Sequence, residues 1–218
     1  YEIRNCDWSS DVCSSDLNAY VAIDPSLWYD SQVLLKKAKT FFTSANLPGK
    51  ALFVGQANTI NPDDTTSNLH YDSIVQFNSI AQAYNKTGLR YAYRFYPDDD
   101  HGSVPLIAEY DAFRFLFAPF KGNLLEALGR PASLREHYAR VSTSMGYQVP
   151  PPEAQLDMLG GFAMTQDTAK AVELLQMGVE FYPASAHAHA ALAGAWQARG
   201  DTKKAIAEYE KALDRKST

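Results

Sequence analysis

Between residues 18 and 117 the chain alternates short apolar runs with longer segments in which apolar residues recur at helical spacing. The apolar runs are Asn18–Asp24, Ala51–Gly55 and Leu89–Tyr96. The helical segments are Leu27–Ala45, Leu69–Lys86 and Leu106–Phe117. Alternation of this kind predicts a parallel sheet whose strands are joined by right-handed helical crossovers. The fold class predicted for this part of the chain is therefore α/β.

A different pattern begins at Glu153, where the sequence becomes rich in alanine. The segment Gln166–Glu173 aligns with Gly200–Ala207 at an offset of 34 residues, which is the period of a tetratricopeptide repeat. Small residues at the repeat positions allow paired helices to approach closely. Residues 153–213 are therefore predicted to be all-α and to form two such repeats. Two repeats are fewer than a free-standing array needs. They are therefore expected either to pack against the α/β part or to belong to a longer array.

The two patterns set the predicted domain limits. The α/β domain is expected to span residues 18–120 and the helical repeats residues 153–213. Between them, residues 121–152 are punctuated by glycine and proline and contain a short predicted helix near Leu134–Met145. We interpret this stretch as a packed linker.

Both ends of the sequence match translated sequencing-adapter DNA. Tyr1–Leu17 corresponds to one adapter run read in frame, and Asp214–Thr218 corresponds to another. A natural Ser/Asp-rich leader or a secretory signal fits less well, because the segment has no basic start and no apolar core. Residues 1–17 and 214–218 are therefore expected to be non-native. The biological sequence, about Asn18–Leu213, is then expected to be a fragment of a longer protein.

Composition excludes several classes of function. Both cysteines, Cys6 and Cys13, lie in the adapter-like segment, so the rest of the chain offers no disulfide, cysteine-based zinc finger or thiol nucleophile. The formal net charge is −5, which argues against a nucleic-acid partner. No apolar run reaches the roughly 18 residues of a membrane span. No cofactor and no metal site are expected.

The loop Tyr96–Pro105 carries a histidine just after the third predicted strand. His101 follows three aspartates and precedes a glycine. A histidine there is suited to general-base catalysis of acyl transfer, taking a proton from a serine and returning it to the leaving group. Two other interpretations are a surface histidine in a solvated acidic turn and a metal site formed by residues 98–101. The remaining histidines are expected to be structural: His70, His137, His187 and His189.

The acid partner of His101 has two candidates. Asp64, in the loop after the second predicted strand with Asp63 beside it, is the first choice. Asp24, at the end of the first strand, is the alternative, and a Ser–His dyad without an acid is a third possibility. The nucleophile is missing from the sequence, since no Gly-x-Ser-x-Gly elbow occurs. In chain order that elbow would precede Asn18, so a fragment would lack it.

These residues resemble the esterase family of α/β-hydrolases that includes the ferric-enterobactin-type esterases and bacterial relatives with C-terminal tetratricopeptide repeats. The resemblance rests on Ala22–Trp28, Leu52–Gly55 and Tyr96–Phe117. It implies the C-terminal part of an α/β-hydrolase, acting as a serine hydrolase on small carboxylic esters, with His101 as the triad histidine.

Substrate would bind at the carboxyl ends of the strands, where Trp28 and Tyr29 are candidates to line the pocket; simple packing is the other role for these two rings. An alternative function is a non-catalytic module whose repeats bind a protein partner. Members of the family that the chain resembles are often exported.

Overall fold

The computed structural model describes residues 17–63, 68–83 and 87–216. The chain divides into two compact units. The first, here called the α/β unit, contains the described residues up to Pro119 together with Thr143–Tyr147. The second, the helical unit, contains Phe120–Ser142 and the residues from Gln148 onward.

A three-stranded parallel sheet forms the centre of the α/β unit. Its strands are β1 (Ala19–Ile23), β2 (Ala51–Ala57) and β3 (Arg90–Tyr96), with β2 in the middle. Ala51 of β2 is in register with Ala19 of β1 on one side and with Arg90 of β3 on the other. The prediction of an α/β part with parallel strands is confirmed, and each strand lies within two residues of its predicted limits.

Helices cover both faces of this sheet. They are α1 (Tyr29–Ser44), α2 (Leu69–Ala83) and α3 (Val104–Leu116). Val54 of β2 packs with residues of α1 and α2, including Ile74, whereas its neighbour Phe53 packs with Ala108 of α3. Adjacent strand residues point to opposite faces, so β2 is buried on both sides. This burial explains why its sequence is a continuous apolar run rather than an alternating one.

The start of α1 departs from right-handed helical geometry. Asp30, Ser31 and Gln32 have φ values of 48°, 54° and 61°, in the left-handed region that costs about 1–2 kcal/mol per residue. The Gln32 side chain donates a hydrogen bond from Nε2 to Ser73 Oγ of α2 at 2.9 Å. Regular helix therefore begins only after Gln32, and a strained turn separates it from Trp28 and Tyr29.

The helical unit is built from the helices that follow. They are α4 (Glu126–Gly129), α5 (Ala132–Met145, whose last residues cluster with the α/β unit), α6 (Glu153–Met164), α7 (Thr168–Phe181), α8 (Ala186–Ala198) and α9 (Thr202–Lys216). From α6 onward each helix packs against the next. Leu134 and Tyr138 share a buried cluster with Leu156 and Leu174. Residues of the segment 121–152 therefore contribute to the core of this unit.

Helix starts recur in the helical unit. α7 begins at Thr168 and α9 at Thr202, 34 positions later. In each case the preceding aspartate caps the helix: Asp167 Oδ1 accepts the Ala169 N–H at 3.0 Å, and Asp201 Oδ1 accepts the Lys204 N–H at 3.2 Å. No helix in the described part of the chain is long and apolar enough to cross a bilayer.

Candidate functional site

The carboxyl edge of the sheet brings an aspartate and a histidine together. Asp24 directly follows β1, and His101 lies in the loop between β3 and α3. His101 Nδ1 is 2.7 Å from Asp24 Oδ2, a hydrogen-bond distance. Because all three strands are parallel, their carboxyl ends lie at the same edge. Residues 77 positions apart therefore form one acid–histidine pair.

Asp24 is held by the central strand. The residue is 2% exposed and its φ is 44°, a left-handed conformation that aspartate adopts more readily than most residues. Its N–H donates to the Gly55 carbonyl oxygen at 2.8 Å, and its Oδ1 accepts the Ala57 N–H at 3.1 Å. Both partners belong to β2, so the sheet fixes the backbone and one carboxylate oxygen of Asp24. The other oxygen, Oδ2, faces the histidine.

The carboxyl of Asp24 is kept ionised by its neighbours. Burial acts to raise its pKa, because a buried carboxylate loses hydration. Hydrogen bonds from His101, His70 and the Ala57 amide outweigh that effect and hold the pKa of Asp24 below its usual range. Asp24 is therefore a charged acceptor, as a residue that orients an imidazole must be.

Acidic residues before His101 stabilise its loop. Asp100 Oδ1 accepts the N–H groups of Gly102 and Ser103 at 2.8 and 2.9 Å. Ser103 Oγ donates to Asp99 Oδ1 at 2.8 Å. These carboxylates bond within the loop, whereas the His101 imidazole bonds to Asp24. The His101 side chain is 70% exposed, so its other edge is accessible to solvent and to reactants.

A second histidine shares the same carboxylate oxygen. His70 Nε2 is 2.9 Å from Asp24 Oδ2, and its ring is 6.0 Å from that of His101 with the planes at 83°. The sequence interpretation of His70 as merely structural missed this contact. The position of His70 could have indicated this contact, because His70 is the second residue of α2. The helix that follows a strand of a parallel sheet begins at the carboxyl edge, where the site lies.

Three other residues were predicted for the site: Asp64, Trp28 and Tyr29. Asp64, the first choice for the acid, lies outside the described residues. The contact with His101 is made by Asp24, the alternative acid. Trp28 and Tyr29 are 43% and 67% exposed and pack edge to face with ring centroids 6.3 Å apart. Both rings are accessible on the segment that follows Asp24, and their role in substrate binding stays a prediction.

A nucleophile is not found beside His101 in the part of the chain that the structure describes. The nearby hydroxyl of Ser103 donates to Asp99, and no described serine makes a hydrogen bond with His101. The site as described therefore places an exposed imidazole against a buried carboxylate, an arrangement that can orient a general base.

Comparisons with known proteins relate this site to a hydrolase. No protein-family model and no curated protein matches the chain. Among solved structures, the chain is similar to an IroE-like serine hydrolase from Shewanella oneidensis, with 27% sequence identity and a TM-score of 0.62. The alignment covers 75% of this chain and 52% of the hydrolase, so the chain spans about half of the length of that structure. This likeness supports, in coarse terms, the predicted relation to esterase-like hydrolases.

Proposed function

We propose that the chain carries the general base and the acid of a serine hydrolase that cleaves small carboxylic esters. The observation that carries the proposal is the 2.7 Å contact between His101 Nδ1 and the buried, ionised Asp24. The similarity to a serine hydrolase supports the reaction class. The resemblance of the Tyr96–Phe117 segment to ferric-enterobactin-type esterases supports a carboxylic ester as the substrate.

In this proposal each nitrogen of His101 has its own task. The Nδ1–H group donates to Asp24, which fixes the tautomer with a lone pair on Nε2. Nε2 takes the proton of a serine hydroxyl as that oxygen attacks the ester carbonyl, and then returns it to the leaving alkoxide. Asp24 stays ionised throughout and stabilises the imidazolium that forms between the two transfers. A water molecule repeats the sequence and frees the acid product.

The nucleophile is proposed to come from a part of the parent protein that precedes residue 18. The absence of a Gly-x-Ser-x-Gly elbow from the sequence supports this placement, as does the coverage of about half of the similar hydrolase. Under this proposal the chain is a fragment with adapter-derived ends at residues 1–17 and 214–218. Its Trp28 and Tyr29 rings would line the ester pocket.

The test compares the 218-residue chain with the parent protein recovered from the genome. Each is incubated with p-nitrophenyl esters and with a fluorophosphonate probe that labels activated serines. We expect neither turnover nor labelling for the 218-residue chain, and both for the parent. A His101→Ala variant of the parent should lose both activities while remaining folded by circular dichroism, because the exposed His101 side chain buries little area. Full turnover in that variant would refute the assignment of His101.

A second proposed function belongs to the helical unit. The recurrence of capped helix starts 34 residues apart supports two tetratricopeptide repeats, which as a class bind extended partner segments on their inner face. A proximity-labelling fusion of the parent, compared with the same fusion lacking residues 153–213, tests this role. Partners lost on deletion, with esterase activity retained, would favour an interaction module attached to the hydrolase.

A further inference from the structure

We infer that Asp24, His70 and His101 form a binding site for a divalent transition-metal ion, and that Zn²⁺ is the ion it fits. One ligand atom from each residue lies within 4.8 Å of the others. His101 Nδ1 and His70 Nε2 both lie within 3 Å of the same carboxylate oxygen, at 2.7 and 2.9 Å. A hydrolytic acid–histidine pair needs one imidazole on its carboxylate. The second imidazole has no part in the proposed acyl transfer.

The donor set selects the class of ion. Two imidazole nitrogens and one carboxylate oxygen suit Zn²⁺ and neighbouring transition metals. Mg²⁺ and Ca²⁺ prefer all-oxygen sites with six or more ligands, so these ions are not expected to bind. Three protein ligands leave one position of a tetrahedral ion for water.

The two nitrogen–oxygen distances require only a small adjustment, and the two nitrogens lie within 4.8 Å of each other. With Zn–N and Zn–O bonds near 2.0–2.2 Å, ligand atoms of a tetrahedral site lie about 3.3 Å apart. The two nitrogen–oxygen contacts are shorter than this by about half an ångström, because hydrogen bonds now join these atoms. The imidazole planes are 83° apart, so the two nitrogens approach the carboxylate from different directions. Rotation of the partly exposed histidine side chains can open the space for an ion.

The surroundings provide both an anchor and an entrance. Asp24 is buried and its second oxygen is held by the Ala57 amide, a contact of the kind that orients carboxylate ligands. The side chains of His70 and His101 are 22% and 70% exposed. An ion therefore has a path from solvent past His101 to a fixed carboxylate.

Occupation of this site is incompatible with general-base catalysis. Coordination through Nδ1 requires that nitrogen to lose its proton, so neutral His101 carries its proton on Nε2 instead. The change is a tautomer shift through water with no net proton released. His101 then has no lone pair left to accept the serine proton, and Zn²⁺ acts as a reversible inhibitor. This consequence rests on the proposed hydrolase function, whereas the binding site itself does not.

Binding is tested on the full chain by calorimetric titration with Zn²⁺ and by the visible absorption of Co²⁺. The background variant is Cys6→Ser/Cys13→Ser, which removes thiols that bind zinc independently. We expect one Zn²⁺ per chain with micromolar or tighter affinity. Asp24→Asn, His70→Gln and His101→Gln should each lower the Zn²⁺ affinity by at least about tenfold. Even the loss of a residue that only supports a ligand lowers metal affinity by about 10- to 100-fold. His187→Gln, which removes an exposed histidine near Asp157, is the matched control and should leave the affinity unchanged.

A second measurement uses no substitution in the site and so does not depend on the folding of variants. Diethyl pyrocarbonate modifies unprotonated imidazole nitrogens, and peptide mass spectrometry counts the product at each histidine. Zn²⁺ should protect His70 and His101 but leave His187 reactive. Absence of micromolar binding, or binding that survives all three site variants, would overturn the proposal. If the parent shows no fluorophosphonate labelling of a serine, the proposed hydrolase function is refuted, whereas the Zn²⁺-binding result still stands.

Discussion

Substitution of Asp24 and of Asp64 distinguishes the two candidates for the acid that pairs with His101. In the parent protein, Asp24→Asn should lower kcat for ester hydrolysis by about 10⁴-fold, because an amide NH₂ facing Nδ1 favours the wrong imidazole tautomer. Asp64→Asn, made in the same background, should change kcat by less than about threefold if Asp64 does not touch His101. Steady-state kinetics with p-nitrophenyl esters measure both. A large loss in Asp64→Asn with a small one in Asp24→Asn would restore Asp64 as the acid.

Single residues of the site were predictable to different degrees. His101 was identified because strand, acidic loop, histidine and helix follow one another directly in the sequence. The contact between Asp24 and His101 depends on the strand order β1-β2-β3, which the sequence pattern leaves open. Asp24 and Asp64 therefore both remain candidates for the acid when the sequence is considered alone. His70 was missed because its contact with Asp24 spans 46 positions and requires the start of α2 to lie at the carboxyl edge.

At the level of elements, α6 contains two adjacent glycines in opposite environments. A Cβ on Gly160 would lie 2.5 Å from Cγ and Cδ2 of Leu175 in α7, whereas nothing lies within 4 Å of one on Gly161. Gly160→Ala should therefore destabilise the helical unit by about 1–3 kcal/mol through overpacking. Gly161→Ala should be neutral or stabilise it by up to about 1 kcal/mol, since alanine is the better helix former. Urea unfolding followed by circular dichroism compares the two, and equal effects would refute the close α6–α7 approach.

A hydrogen bond between side chains joins α8 to α9 and gives the helical unit a defined response to acid. Buried His189 lies with Nδ1 2.5 Å from Glu208 Oε2. Burial acts to raise the pKa of Glu208, but hydrogen bonds from Lys211 and His189 outweigh it and hold that pKa below its usual range. A lowered folded-state pKa means that the charged carboxylate contributes stability above its unfolded pKa. That contribution is lost as the pH falls through the folded value.

Glu208→Gln should therefore destabilise the protein at pH near 5.5 by about 1.5–3 kcal/mol, the range for hydrogen bonds to charged groups. The gap in melting temperature from the wild type should close as the pH falls below about 4. Glu210→Gln, at an exposed position of the same helix, is the control and should show no pH-dependent gap. A gap for Glu208→Gln that persists unchanged at pH 3 would show that the charge of Glu208 is not responsible.

Element types followed from periodicity more reliably than element limits did. The segment Leu27–Ala45 was predicted as one helix, yet α1 opens with a left-handed turn at residues 30–32. No glycine marks that turn in the sequence, and its hydrogen bond to Ser73 is a tertiary contact. β2 extends two residues beyond its predicted end to Ala57, because Gln56 is fully buried with its amide bonded to the Tyr71 carbonyl. Polarity alone suggested a loop there.

At the scale of the whole molecule, the α/β unit presents features that normally have partners. Among the described strands, β1 and β3 each pair only with β2, and sheets of globular proteins more often have four to six strands. α3 also carries an exposed apolar stripe formed by Leu106, Tyr110 and Phe113, which are 81%, 59% and 50% exposed. Edges and apolar stripes of this kind promote association between chains.

We therefore expect the 218-residue chain to form soluble oligomers whose size increases with protein concentration, as measured by size-exclusion chromatography with light scattering. The double variant Leu106→Glu/Phe113→Glu should shift the distribution toward monomer, because it places two charges on the α3 stripe without touching a buried position. Met158→Glu is the matched control, since Met158 is 60% exposed on α6 and should leave the distribution unchanged. Val21→Lys, on the exposed side of β1, tests the strand edge separately, because charged edge residues disfavour intermolecular pairing. A wild-type chain that is monomeric at all concentrations and unfolds cooperatively would show that three strands suffice for this unit and that neither surface requires a partner.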